Sequence, residues 1–266
     1  MLTSPKIVVF DLDETLGYFT QFGIFYDCLN NYLKNEMFLS ENEDFNTLMD
    51  LYPELIRPKM FSIINYLKKK KNSNQCSKLM VYTNNQGPKS WATNIIRFFE
   101  DKMNEKIFDQ IICAFKVRGE RVELNRTSNS KSHNDLIKCT KLPNDTEICF
   151  IDDIYHKGME HDKVYYINVK PYIHSIEYDD MISRYLNSKL GNKIKNKSLF
   201  IMKITEHIHK YNYHHTIKSK EETDIDIIIG KKILQHLKVF FLEDNYNKTR
   251  HRKPKKQNTT LKKKIR

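Results

Sequence analysis

The stretch that decides the fold is Ile7-Val8-Val9-Phe10-Asp11-Leu12-Asp13-Glu14-Thr15-Leu16, close to the start of the 266-residue chain. Its apolar residues predict a buried strand, and the strand ends in two aspartates, Asp11 and Asp13. Ligands of parallel α/β sheets bind outside the carboxyl ends of the strands, where these two carboxylates would lie. Paired carboxylates at that place suit a divalent cation and a phosphate. The stretch therefore indicates phosphoryl transfer, and a strand followed by an aspartate-rich turn is the alternative.

The rest of the chain alternates predicted strands and helices, which favours a parallel sheet. We predict strands near 6–11, 78–83, 108–114, 147–152 and 163–168, and helices near 59–71, 88–104, 131–139 and 175–189. Two more helices are predicted at 198–213 and 224–242, because apolar residues recur there at helical spacing. We expect these two helices to pack on the core or to form a small appended module.

Three further predicted elements supply candidate site residues. The strand at 78–83 ends in Thr83, whose hydroxyl and backbone could donate to a phosphoryl oxygen. The strand at 147–152 is the second one that ends in paired acids, Asp152 and Asp153. Between them, Lys131 opens a predicted helix and could neutralise phosphate charge, with Lys138 and Lys141 as competitors for that role.

The run Asp11-Leu12-Asp13-Glu14-Thr15 resembles the first motif of the haloacid-dehalogenase (HAD) superfamily, an apolar strand followed by Asp-x-Asp-x-[Thr/Val]. The resemblance implies that Asp11 is a nucleophile that forms an aspartyl-phosphate. It implies that Asp13 protonates the leaving oxygen and later deprotonates the attacking water. Magnesium is the implied cofactor.

The other site roles are also implied by this resemblance. Thr83, Asn84 and Lys131 are expected to bind the phosphate. The expected magnesium ligands are drawn from the acids that follow the two strands, namely Asp11, Asp13, Asp152 and Asp153.

Two HAD branches share features with this chain. Ile56-Arg57-Pro58 before a helix, and then Tyr82-Thr83, resemble the NLI-interacting-factor-like branch, which includes phosphoserine and phosphothreonine phosphatases. In contrast, Thr83-Asn84-Asn85-Gln86-Gly87 is closer to a branch that contains sugar-phosphate, histidinol-phosphate and polynucleotide 3′-phosphatases.

The first branch leads us to expect a magnesium-dependent phosphomonoester hydrolase acting on phosphoprotein. A phosphatase for nucleic-acid 3′ ends or small phosphate esters is the alternative. A catalytically silent HAD-fold binding protein is a third hypothesis from another class.

The resemblance implies an α/β fold, a HAD-like doubly wound parallel sheet of Rossmann-like type. We expect a catalytic domain at 1–190, with residues from about 18 to 56 as a flap or small cap insert. A helical C-terminal extension is expected at 191–244, and a disordered basic tail at 245–266.

Most of the formal charge of +12 lies in the tail, since residues 249–266 carry nine basic residues and no acid, leaving +3 for the other 248 residues. The tail is predicted to be a solubilising end, a nuclear localisation signal or a nucleic-acid tether. No signal peptide or membrane-length apolar run is present in the sequence, so we expect an intracellular protein, cytoplasmic or nuclear, that is not secreted and has no membrane partner. The five cysteines include no Cys-x-x-Cys pair and are predicted to be reduced core residues.

Overall fold

In a computed structural model the chain is described from residue 4 to residue 250, with side chains described as far as residue 242. Its strands and helices follow the chain in this order: β1 (Lys6–Phe10), α1 (Thr20–Glu36), α2 (Phe45–Met49), α3 (Met60–Asn72), β2 (Lys78–Tyr82), α4 (Lys89–Met103), β3 (Gln110–Ile112), β4 (Lys116–Val117), β5 (Glu120–Arg121), α5 (His133–Thr140), β6 (Glu147–Asp152), β7 (Val164–Asn168), α6 (Tyr178–Asn187), α7 (Lys197–His209) and α8 (Lys220–Arg250). The five predicted strands and the six predicted helices are confirmed.

Five strands form one parallel sheet in the order β3-β2-β1-β6-β7, which confirms the predicted α/β class. The central strand β1 pairs with β2 on one side and with β6 on the other, so Phe10 lies between Val81 and Ile151. Because all five strands point the same way, their carboxyl ends meet at one edge of the sheet. The residues that follow β1, β2 and β6 are therefore neighbours in space.

Helices cover both faces of the sheet. Alternate side chains of a strand point to opposite faces, and β1 divides its residues between two buried clusters in this way. Val8 and Phe10 belong to the larger cluster, which includes residues of α1, α3, α4 and the C-terminal helices. Ile7 and Val9 belong to a smaller cluster formed with α5. Burial on both faces explains why the strand reads as a continuous apolar run.

The segment predicted as a flap or small cap insert is helical and packs on the core. Phe22, Phe25 and Leu29 of α1 are fully buried in the larger cluster. Rings from α1, α2 and α4 contact one another, with the centroid of Phe45 lying 5.2 Å from that of Phe22 and 5.5 Å from that of Trp91.

The C-terminal helices also pack on the core, which was one of the two alternatives expected. Phe200 of α7 lies with its ring centroid 4.9 Å from that of Tyr32 in α1. The helix α8 contacts α3 and β7, and its Leu237 is fully buried. The ammonium group of Lys6 donates to the backbone oxygen of Phe240 at 2.7 Å, which ties α8 to the start of β1.

Residues 251–266 of the predicted basic tail lie outside the described residues. Among the helices of the described chain, none combines the length and the apolar character needed to cross a membrane.

Gly230 of α8 packs closely against the chain just before α3. A Cβ at this position would lie 2.2 Å from the backbone oxygen of Pro58 and 3.1 Å from Cβ of Lys59. In an exposed helix, glycine to alanine stabilises by about 1 kcal/mol. Here we expect Gly230→Ala to lower the free energy of unfolding by about 1–3 kcal/mol, because the added methyl group overpacks the contact.

Urea denaturation of the purified variant measures this change. Lys231→Ala, at an exposed position of the same helix, is the control and should shift the free energy of unfolding by no more than about 0.5 kcal/mol. A stabilised Gly230→Ala protein would contradict the close packing of α8 on Pro58.

Candidate active site

A buried lysine joins the acids that follow two different strands. The ammonium group of Lys131 donates to Asp152 Oδ2 at 2.7 Å and also contacts Asp11 Oδ1. The Lys131 side chain is 1% exposed, and Asp11 and Asp152 are also buried. Lys131 lies just before Ser132, the residue that caps α5, and so precedes the helix that it was predicted to open. The predicted choice of Lys131 over Lys138 and Lys141 matches its position beside both acids.

The charges of this site are unbalanced. Five acids line one cavity of about 190 Å³, namely Asp11, Asp13, Glu14, Asp152 and Asp153. Lys131 and His156 are the only basic side chains among its described lining residues. Burial raises the pKa of Asp11 and of Asp152, although Lys131 opposes the shift at both. Burial also raises the pKa of Asp13 to about 6. An added cation would lower these pKa values and offset the excess of negative charge.

Three of the five acids are arranged as a metal site would require. Asp11, Asp152 and Asp153 each offer an oxygen atom, and these atoms lie within 4.8 Å of one another. Carboxylate oxygens are the ligands that Mg²⁺ prefers. Lys131 contacts Asp11 Oδ1 and Asp152 Oδ2, Ile154 donates to Asp152 Oδ1, and Thr15 contacts Asp153 Oδ1. Asp11 Oδ2 and Asp153 Oδ2 accept no hydrogen bond from the described residues. These two oxygens could contribute to a cation site, and magnesium at this place stays a prediction.

Thr15, the last residue of the Asp-x-Asp-x-Thr pattern, fixes Asp153. Its hydroxyl donates to Asp153 Oδ1 at 2.9 Å and accepts from the Asp153 backbone N–H at 3.2 Å. Asp152 is held separately, because its Oδ1 accepts from the backbone N–H of Ile154 at 2.9 Å. The loop after β1 and the loop after β6 thus hold each other in place.

Asp13 points toward a residue that the sequence did not single out. Its Oδ2 accepts from Asn85 Nδ2 at 2.7 Å, and this bond lowers the pKa of Asp13 against the larger effect of burial. Asp13 is not one of the three acids whose oxygen atoms lie within 4.8 Å of one another, so its assignment as a magnesium ligand stays a prediction. The sequence motif Thr83-Asn84-Asn85 pointed to this loop but gave no reason to choose between its two asparagines, since both are common turn residues. Only the fold shows that Asn85 is the one that contacts Asp13.

Thr83 and Asn84, the predicted phosphate ligands, have different surroundings. Thr83 lines the acid cavity, and its hydroxyl accepts from the backbone N–H of Asn85 at 3.0 Å. Asn84 also lines the cavity, but its Oδ1 accepts from Arg126 Nη2 at 2.7 Å. The role of each in phosphate binding stays a prediction.

Two buried arginines support the loops of the site, and the sequence did not identify either in this role. Arg126 donates from Nη1 to the backbone oxygens of Thr83 at 3.1 Å and of Cys113 at 2.8 Å. Arg57 donates from Nε to the backbone oxygen of Thr15 at 2.6 Å, and its Nη2 contacts the backbone oxygen of Glu14. Arginine presents its donors in a planar fork, so one side chain can hold two segments of backbone.

Arg57 also stabilises a residue whose backbone adopts the left-handed conformation. Glu14 has a φ of 59°, which is uncommon for a residue other than glycine. The backbone oxygen of Glu14 receives bonds from Arg57 and from the backbone N–H of Tyr172 at 2.8 Å. Burial lowers the pKa of Arg57 to about 10, which still leaves it charged at neutral pH.

The two nearby histidines differ in position. His156 lines the acid cavity, with its Nε2 3.6 Å from Asp152 Oδ2. Burial lowers the pKa of His156 to about 4, so its ring is neutral at physiological pH. His133 instead stacks on His161, with ring centroids 3.8 Å apart.

Replacing Arg126 tests whether it supports the β2 loop. Arg126→Met leaves the buried oxygens of Thr83 and Cys113, and Asn84 Oδ1, without this donor. We expect the free energy of unfolding to fall by more than about 3 kcal/mol, since each buried acceptor left unpaired costs about 1–3 kcal/mol. Urea denaturation measures the change, and Arg97→Met, at an exposed position of α4, should have an effect within about 0.5 kcal/mol. Equal effects of the two substitutions would contradict the role of Arg126.

Searches of protein-family models and of curated proteins found no match to this chain. The chemistry of the site is therefore inferred from the geometry and charges of its own residues.

Proposed function

We propose that the protein is a magnesium-dependent phosphomonoester hydrolase of the HAD type, working through an aspartyl-phosphate. The observation that carries this proposal is the buried Asp11 carboxylate at the end of the central strand, in contact with Lys131 and grouped with Asp152 and Asp153. A nucleophilic carboxylate, a fixed positive charge and further oxygen ligands for a cation are the groups that phosphoryl transfer needs.

Asp11 would act as the nucleophile. An oxygen of its carboxylate attacks phosphorus, and the bond from phosphorus to the leaving alcohol oxygen breaks. Lys131 offsets the negative charge of the phosphoryl oxygens while remaining bonded to Asp11 and Asp152. Its burial keeps the ammonium group in one position, so little reorganisation accompanies the reaction.

Asp13 would act as the general acid and then as the general base. It donates a proton to the leaving oxygen in the first step and accepts one from the attacking water in the second, which breaks the bond between Asp11 and phosphorus. Burial raises the pKa of Asp13 to about 6, which makes the protonated form that the first step needs more accessible than it is in an exposed aspartate. Asn85 fixes its orientation through the 2.7 Å bond to Oδ2.

Asp11, Asp152 and Asp153 would hold the magnesium ion. When bound, Mg²⁺ neutralises the phosphate and the acids that face it. Thr15 supports this set by fixing Asp153.

The binding-protein hypothesis is weaker on physical grounds. A scaffold without catalysis has no need of five acids around a cavity, because burying carboxylates destabilises the fold unless they are paired.

The nucleophile is tested with Asp11→Asn. We expect kcat/KM for p-nitrophenyl phosphate to fall by at least about 1000-fold, as for nucleophiles of other enzymes. Asp162→Asn, at a side chain that is 80% exposed, is the matched control and should retain wild-type turnover. Acid quenching with a radiolabelled phosphoester should trap labelled wild-type protein and leave Asp11→Asn unlabelled. Full activity of Asp11→Asn would overturn the mechanism.

The metal site is tested by binding as well as by activity. Mg²⁺ at about 100 times its dissociation constant should stabilise the wild-type protein by about 2.7 kcal/mol. Thr15→Val removes the hydroxyl that fixes Asp153, so we expect Mg²⁺ affinity to fall by about tenfold or more. Thr15→Ser keeps the hydroxyl and should retain affinity within about threefold. Isothermal titration and thermal denaturation with and without Mg²⁺ measure both effects, and a wild-type protein that binds no Mg²⁺ would falsify the metal assignment.

A further inference from the structure

We infer that a groove beside Asp13 binds the leaving group of the substrate, and that this leaving group is part of an extended polypeptide. The groove, called here the leaving-group groove, lies between α1 and the start of α4 and encloses about 900 Å³. The inference rests on the proposed phosphatase function and extends it to a substrate class.

The position of the groove follows from the chemistry. The alcohol that carries the phosphate must depart on the side of the general acid, since Asp13 protonates its oxygen. Asp13 and Asn85 line both the acid cavity and the groove, so the two spaces meet at the general acid. A phosphate held at Asp11 would therefore place the rest of the substrate in the groove.

One face of α1 forms the first wall. Thr20, Gly23, Asp27, Asn30, Asn31 and Lys34 line the groove. Their spacing of three and four residues places them along a single stripe of the helix. The wall is therefore straight and continuous over about four helical turns, which suits an extended chain better than a compact metabolite.

Amide side chains dominate the lining of the groove. Asn30, Asn31, Asn42, Asn85, Gln86 and Asn94 all contribute to it. Asn85 uses both of its amide groups within the protein, and Asn30, Asn31 and Gln86 each use one. The donors and acceptors that remain are of the same kind as those of an extended peptide backbone. Such a lining can bind a polypeptide backbone with little dependence on its side chains.

An aromatic surface lies on the opposite wall. Trp91 lines the groove and is supported from behind by the Phe22 and Phe45 rings, with centroids 6.0 Å and 5.5 Å away. Gly23 faces it, and a Cβ there would lie 3.3 Å from the Trp91 ring. A side chain at position 23 would crowd the ring, so glycine here allows α1 to lie close against Trp91.

The charge of the groove favours polypeptide over nucleic acid. Apart from Asp13, its only charged lining residues within the described part of the chain are Asp27 and Lys34, which cancel. A groove for single-stranded nucleic acid needs positive charge along the phosphate backbone as well as aromatic surfaces. The leaving-group groove has the aromatic surface without the positive charge.

The experiment compares four substrates that carry the same phosphate group. These are p-nitrophenyl phosphate, free phosphoserine, a 3′-phosphorylated oligothymidylate, and a phosphoserine peptide of about nine uncharged residues, which spans about 30 Å when extended. With the full chain and Mg²⁺, we expect kcat/KM for the peptide to exceed that for phosphoserine by about tenfold or more. The oligonucleotide should show no such gain over the small ester.

The double variant Asn31→Ala, Asn94→Ala locates the binding site. Its kcat/KM for the peptide should fall by about five- to tenfold more than its kcat/KM for p-nitrophenyl phosphate, because two amide contacts are lost. Asn35→Ala is the matched control, since Asn35 is an exposed residue of α1 outside the groove. This control should leave both values at the wild-type level.

The outcomes separate the two proposals. Turnover of the small ester with no gain for the peptide, or with a gain for the oligonucleotide instead, overturns the groove proposal alone. A peptide gain that the double variant does not reduce also overturns it. Absence of turnover for all four substrates overturns the proposed function, and the groove proposal with it.

Discussion

The contact of the Lys131 ammonium with Asp11 and Asp152 is the interaction on which the site depends. All three groups are buried, so each would be costly to hold without the others. Removing one partner of a buried ion pair costs about 3–5 kcal/mol because the remaining charge is left without compensation. The contact also requires β1, β6 and the segment before α5 to meet within a few ångströms, which the parallel sheet achieves by ending its strands at one edge.

The two buried arginines hold the loops that follow β1 and β2 in place around this contact. Arg57 holds the turn after β1, including the left-handed Glu14, and Arg126 holds the turn after β2. Each satisfies backbone oxygens that would otherwise be buried without a donor. Their hydrogen bonds keep the acids and Thr83 at fixed distances from Lys131. A rigid support of this kind is what a preorganised phosphoryl-transfer site needs.

The leaving-group groove defines the side of the acid cavity on which we propose that the substrate extends. The proposed phosphate chemistry takes place in the cavity of Asp11, whereas Asp13 lies at the boundary between that cavity and the groove. α1 forms one wall of the groove with its polar stripe and contributes its apolar stripe to the core. The same helix therefore stabilises the fold and shapes the space for the substrate. Its place in the core explains why a short insert can define a substrate site without forming a separate cap.

The sequence alone determined the parallel sheet and the acids after β1 and β6, because both depend on local patterns: apolar runs of strand length and the residues that directly follow them. It also indicated Lys131 by its order in the chain. Only the tertiary structure brought Asn85 to Asp13, placed the two arginines behind the loops, and opened a groove between α1 and α4. Most of these contacts join residues far apart in the chain, such as Arg57 and Thr15, 42 positions apart, and Asn85 and Asp13, 72 positions apart, and a single sequence has no local signal for them. Short sequence motifs therefore indicated which residues form the candidate site. Packing decided how their side chains are oriented and where the groove proposed for the substrate lies.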